Sequence, residues 1–96
     1  MRLRYRAEAR RDVSEAYHWY ETQSPGLGGG LRVALRRVEE LIKEYPEAFP
    51  VVYADVRRAL LRRYPYAVYY RRCDEMTWEI LACLHMRRGR RQTGDG

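Results

Sequence analysis

Between Leu31 and Tyr45 the apolar residues keep one spacing. Leu31, Ala34, Leu35, Val38, Leu41, Ile42 and Tyr45 fall on one side of a helix, and Arg32, Arg36, Arg37, Glu39, Glu40 and Lys43 fall mainly on the other. Such a stripe has to be covered by a second apolar surface. Pro46 ends the helix. With 96 residues, 46% of them hydrophobic and 33% charged, the chain reads as one globular domain over 1–96. A chain this short buries only roughly 60% of its unfolded surface, so the core is thin and a large enclosed cofactor pocket is excluded.

The partner surface is legible in the flanking residues. Arg2-Leu3-Arg4-Tyr5-Arg6 alternates strictly and predicts a half-buried strand. From about Ala7 the period becomes helical, with Ala9, Val13, Ala16, Tyr17 and Tyr20 in one stripe, and Ser24-Pro25-Gly26 breaks it. Gly28-Gly29-Gly30 lacks the Lys-Ser or Lys-Thr and the preceding strand of a phosphate loop, so it is read as a flexible link between antiparallel helices. After Pro50 the period returns to two, predicting strands at Val51–Tyr53, Val56–Arg63, Tyr66–Arg72 and Thr77–His85. The order is a strand, two helices and four strands. It predicts an α+β fold, with a helical hairpin on one face of a mainly antiparallel sheet and the opposite face bare. From Arg88 onward the sequence is polar and glycine-containing, and a flexible tail over about 88–96 is expected.

Charge is unevenly spread. Residues 1–56 hold eight arginines and one lysine against nine carboxylates, whereas residues 57–91 hold ten arginines against three. The net charge of +6 therefore comes from the C-terminal third, and it suits an anionic partner such as nucleic acid, membrane lipid or an acidic protein segment. The alternative reading of the near-absence of lysine is the codon bias of a GC-rich genome, which implies no partner. No apolar run approaches the ~20 residues of a membrane helix, and the start of the chain does not read as a secretion signal. A cytoplasmic protein without a membrane partner is expected.

On the last strand Trp78, Ile80, Ala82 and Leu84 alternate with Thr77, Glu79, Leu81, Cys83 and His85. Strict alternation sends the first set to the helices and His85 to the bare face, with Arg87 and Arg88 close behind. An imidazole among guanidiniums has the parts for phosphodiester cleavage, a proton carrier and donors for developing phosphorane charge. The plainer reading makes His85 a strand-end residue and the arginines a solvated rim. Tyr64, Tyr66, Tyr69 and Tyr70 interleave with Arg62, Arg63, Arg71 and Arg72, which suits either base stacking on a sheet or core packing of half the tyrosines. Two histidines and two unclustered cysteines give no zinc spacing, so neither a metal nor a cofactor is implied. Cys73 and Cys83 lie too far apart on their hairpin for a disulfide, and both are read as reduced core residues.

Taken in order, several pieces resemble one family. They are Asp12, Glu15-Ala16 and Trp19-Tyr20-Glu21, then Ser24-Pro25-Gly26-Leu27-Gly28, Tyr45-Pro46-Glu47 and Val56-Arg57-Arg58. Arg63-Tyr64-Pro65-Tyr66-Ala67-Val68-Tyr69-Tyr70 and Leu84-His85-Met86-Arg87-Arg88 complete the series. The chain resembles the RelE/ParE superfamily of type II toxin-antitoxin toxins, on its ParE-like side. That resemblance implies a growth-inhibiting toxin, typical of plasmid stabilisation modules, held in a hetero-oligomer by a cognate antitoxin. The implied target is DNA gyrase or, for ribonuclease members, messenger RNA on the ribosome. Where the ribonucleases carry an in-site arginine this sequence has Ala67, and where they carry a late tyrosine it has residues such as Gln92 and Thr93. Arg87 matches a basic position of that site, and His85 matches members that use a C-terminal histidine. The resemblance thus implies target contacts by Arg57, Arg63, Arg87 and Arg88, with His85 and Arg87 catalytic only in a nuclease. A simple RNA-binding module is the further alternative.

Overall fold

A computed structural model describes residues 1–87. The elements run β1 (Arg2–Tyr5), α1 (Ala7–Gln23), α2 (Leu27–Glu44), β2 (Val51–Tyr53), β3 (Val56–Leu60), β4 (Tyr66–Arg72) and β5 (Thr77–His85). They form a five-stranded sheet in the order β1-β5-β4-β3-β2. β1 lies parallel to β5, and the other pairs are antiparallel. This is the expected α+β arrangement.

The helical hairpin packs on one face of that sheet. Leu31, Leu35, Val38 and Ile42 of α2 and Ala9 and Ala16 of α1 are buried with Ala59, Val68, Tyr70, Trp78 and Ile80 from the strands. Each fully buried side chain of the size of Leu31, Ile42 or Ile80 contributes about 1.5–3 kcal/mol. The stripe of α2 is wider than its cover, because Leu41 and Tyr45 remain 47% and 56% exposed. Tyr66 and Tyr70 enter the core while Tyr64 and Tyr69 are half-buried, so half of the tyrosine cluster is packing.

The glycine run corrects the sequence reading. Gly28, Gly29 and Gly30 belong to the first turns of α2, and the link is Ser24-Pro25-Gly26, with Gly26 in the left-handed region at φ 95°. α2 has no side-chain cap of its own. Instead the Glu21 carboxylate accepts the Gly26 and Gly28 N–H groups, at 3.1 and 2.9 Å. Gly28 is where the helices touch, since a Cβ there would lie 2.7 Å from the Tyr17 carbonyl oxygen.

β5 carries a second correction. Tyr69 pairs with Ala82 and Tyr70 with Ile80, so Leu81 is an extra residue in the ladder. One added residue reverses the alternation beyond it. Trp78 and Ile80 face the helices as expected, but from there Cys83 and His85 face the helices and Ala82 and Leu84 the bare side. The Asp12 carboxylate of α1 accepts the Cys83 N–H at 3.0 Å, just past the bulge. Burial raises the Asp12 carboxyl above its ordinary range, and that hydrogen bond opposes the shift. Cys83 is buried and its thiol is pushed up to about 12 by burial, with the Asp12 charge second. Cys73 is exposed near the β4–β5 turn and is no core residue.

Candidate functional site

The register of β3 decides which arginines face where. Arg57 pairs with Tyr70 and Ala59 with Val68, so Arg57 and Ala59 point to the helix side; Arg58 pairs with Tyr69 on the bare side. The Arg57 guanidinium donates from Nη1 to the carbonyls of Glu47 (3.0 Å) and Phe49 (2.7 Å). Beside it the fully buried Tyr70 hydroxyl donates to the Pro46 carbonyl at 2.7 Å. Together they fasten the turn between α2 and β2. Burial pushes the Tyr70 phenol up to about 12, against a smaller lowering by Arg57.

Arg63, His85 and Arg87 gather at the other end of the sheet, four residues along β4 and so roughly 13 Å away. There the β3–β4 turn holds Arg63 at φ 72°, outside the usual range of a residue with a side chain. The Tyr64 hydroxyl donates to the Leu27 carbonyl (2.8 Å), and its ring stands edge-on to Tyr20 at 5.0 Å. The Met86 N–H donates to the Pro65 carbonyl at 2.8 Å, which places Arg87 beside the turn that carries Arg63. Arg63 and Arg87 are exposed. Arg88 lies outside the described residues, as does the tail expected over 88–96.

His85 is not on the bare face. It pairs with Tyr66 on the helix side, with the rings edge-on at 5.2 Å. Its Nδ1 accepts the Arg87 backbone N–H at 3.1 Å. In a neutral ring that bond places the proton on Nε2 and occupies the basic lone pair. Ala67, where the ribonucleases carry an arginine, is fully buried.

The bare face is less basic than the arginine count suggests. Arg4 and Arg6 both reach Glu79, at 3.4 and 3.2 Å, and Arg71 reaches Asp55 at 3.7 Å. Among the described residues no carboxylate pairs with Arg37, Arg62 or Arg63. These three line a groove of about 440 Å³ between α2 and the β3–β4 turn, together with Gly30, Val33, Ala34 and Tyr64. A second groove of about 340 Å³, between β1, α1 and α2, holds Arg10, Arg32 and Arg36 beside Ser14 and Glu39. Sequence reasoning missed both grooves. The sequence shows Arg32 and Arg36 only as part of the side of α2 opposite its apolar stripe, and Arg10 joins them only through packing.

Among the described residues no helix is long and apolar enough to cross a membrane. No protein-family model and no curated protein matches the chain. A solved structure described as "Chromosomal ParDE TA system from P. aeruginosa" is similar, with a TM-score of 0.65 and 20% identity over 88% of this chain and 95% of that one. This is a ParE-like fold. At that identity the likeness concerns the ParE-like architecture of sheet and helical hairpin.

Proposed function

We propose that the protein is the toxin of a type II toxin-antitoxin module, ParE-like, acting in the cytoplasm on DNA gyrase and neutralised by a cognate antitoxin. The observation that carries the choice of target is His85. A ribonuclease reading needs a basic imidazole nitrogen available among several arginines. Here the Leu81 bulge turns the ring against Tyr66, its Nδ1 holds the Arg87 N–H, and Arg57 is fastened to two carbonyls at the far end. Those placements favour a protein that inhibits by binding over one that cleaves RNA. Arg63 and Arg87, exposed together at one end, are the target contacts of this reading, and Arg88 follows Arg87 in sequence. The antitoxin contact is the sheet edge. β2 is an outer strand whose Val51, Val52 and Tyr53 are all exposed, so an extended antitoxin segment can add a strand there and cover their side chains.

Controlled induction tests the reading by following DNA and transcripts in the same culture. Double-strand breaks with intact transcripts are expected, and Arg63→Ala with Arg87→Ala weakens them. Codon-phased messenger cuts that disappear in His85→Ala would reverse the assignment.

A further inference from the structure

The exposed side of α2 carries Arg32, Arg36 and Arg37, and an arginine-lined groove runs along each flank. Arg10 stands across one groove, and Arg62 and Arg63 stand across the other. Six guanidiniums thus cluster on the helix side, four of them from the half of the chain whose charge sums to zero. Glu39 is the one carboxylate lining either groove, and it accepts the Tyr5 hydroxyl.

Several of these groups are held in place. The Arg32 guanidinium lies over the Tyr17 ring at 4.8 Å and that of Arg10 over Tyr5 at 5.9 Å. Stacking fixes the plane of a guanidinium while leaving its in-plane N–H edge to meet an anion. Arg62 and Arg63 sit on the turn pinned by Tyr64, and the left-handed backbone of Arg63 marks a conformation that the surrounding fold imposes.

We propose that this face binds the phosphate backbone of nucleic acid, without reading base sequence. The inference does not rest on the toxin reading. Interfaces with nucleic acid are more polar and far more positive than those with protein, whose hot spots draw on Trp and Tyr as well as Arg. Val33 is the single large hydrophobic exposed in the two linings. The other exposed large apolar groups, among them Trp19, Leu27, Leu41, Tyr45 and Tyr53, line neither groove. No Asn or Gln lines either groove to read a base edge.

Fluorescence anisotropy of a labelled duplex of about 20 base pairs, and of a single strand of that length, tests the proposal between about 50 and 200 mM salt. The triple variant Arg32→Gln, Arg36→Gln, Arg37→Gln is compared with Arg2→Gln, Arg58→Gln, Arg71→Gln, which removes the same charge from the bare face. The helix triple should weaken duplex binding at least about tenfold and flatten the log–log salt slope by about 2.7. The bare-face triple should change affinity by about threefold or less. The oligonucleotide bound more tightly by wild type at equal salt identifies the form bound. Equal losses from the two triples, or wild-type protein that ignores both oligonucleotides and binds polyglutamate, would overturn the proposal. Should the helix triple melt early, the single variants Arg36→Gln and Arg37→Gln carry the test, each expected to lower the duplex slope by about 0.9.

Discussion

Arg57 and Arg63 stand six residues apart in sequence and do opposite work. Arg57, at the start of β3, turns inward and gives its N–H groups to two main-chain carbonyls of the turn after α2. Arg63, beyond the end of the same strand, sits on a strained turn that other residues hold, and it keeps its charge exposed. One end of the sheet uses an arginine to build the protein; the other uses the protein to present arginines. Residue type and local charge density do not separate these cases. What separates them is whether the fold supplies acceptors within reach.

The largest test of that contrast is Arg57→Ala, expected to cost about 2–3 kcal/mol in urea denaturation because a charged donor leaves two carbonyls behind. Arg63→Ala should stay within about 0.5 kcal/mol. An Arg57→Ala protein as stable as wild type yet inactive in induction would make Arg57 a contact residue and end the distinction. Tyr64→Phe, which removes the hydroxyl from the Leu27 carbonyl, should cost about 1 kcal/mol and loosen the turn that presents Arg62 and Arg63. Arg63→Gly relieves the positive φ and should raise stability by about 0.5–1 kcal/mol while weakening target action. Opposite signs from one substitution would separate presentation from support.

Asp12 belongs with the inward groups, and its effect is smaller. Its carboxyl titrates above 3.8 in the folded chain, chiefly through burial. The stability it contributes is therefore full below 3.8 and is lost as pH rises through the folded value. The wild-type urea midpoint, taken relative to that of Asp12→Asn, should fall as pH rises through that window. An unchanged profile in Asp12→Asn would place the titration elsewhere.

The helix stripes, the strand set and the α+β class were legible because each rests on a local period, and the core followed from them. Three things were not. The Leu81 bulge carries no local signal, since Trp-Glu-Ile-Leu-Ala-Cys-Leu-His reads equally well with or without an extra residue. Yet that residue decides which face His85 takes. The glycine run looked like a link because glycine weakens helices, but the short reach from α1 to α2 at Gly28 requires a residue without a Cβ. The charge tally by segment placed the basic surface in the last third, whereas packing sets Arg10, Arg32 and Arg36 beside one another and pairs the bare-face Arg4, Arg6 and Arg71 with carboxylates.

The sequence by itself determined the elements and the burial of their apolar stripes, because periodicity is a property of neighbours along the chain. Tertiary structure alone decided which polar groups are engaged and which are offered. An arginine's partner lies across strands and helices, at a distance that only register and packing set.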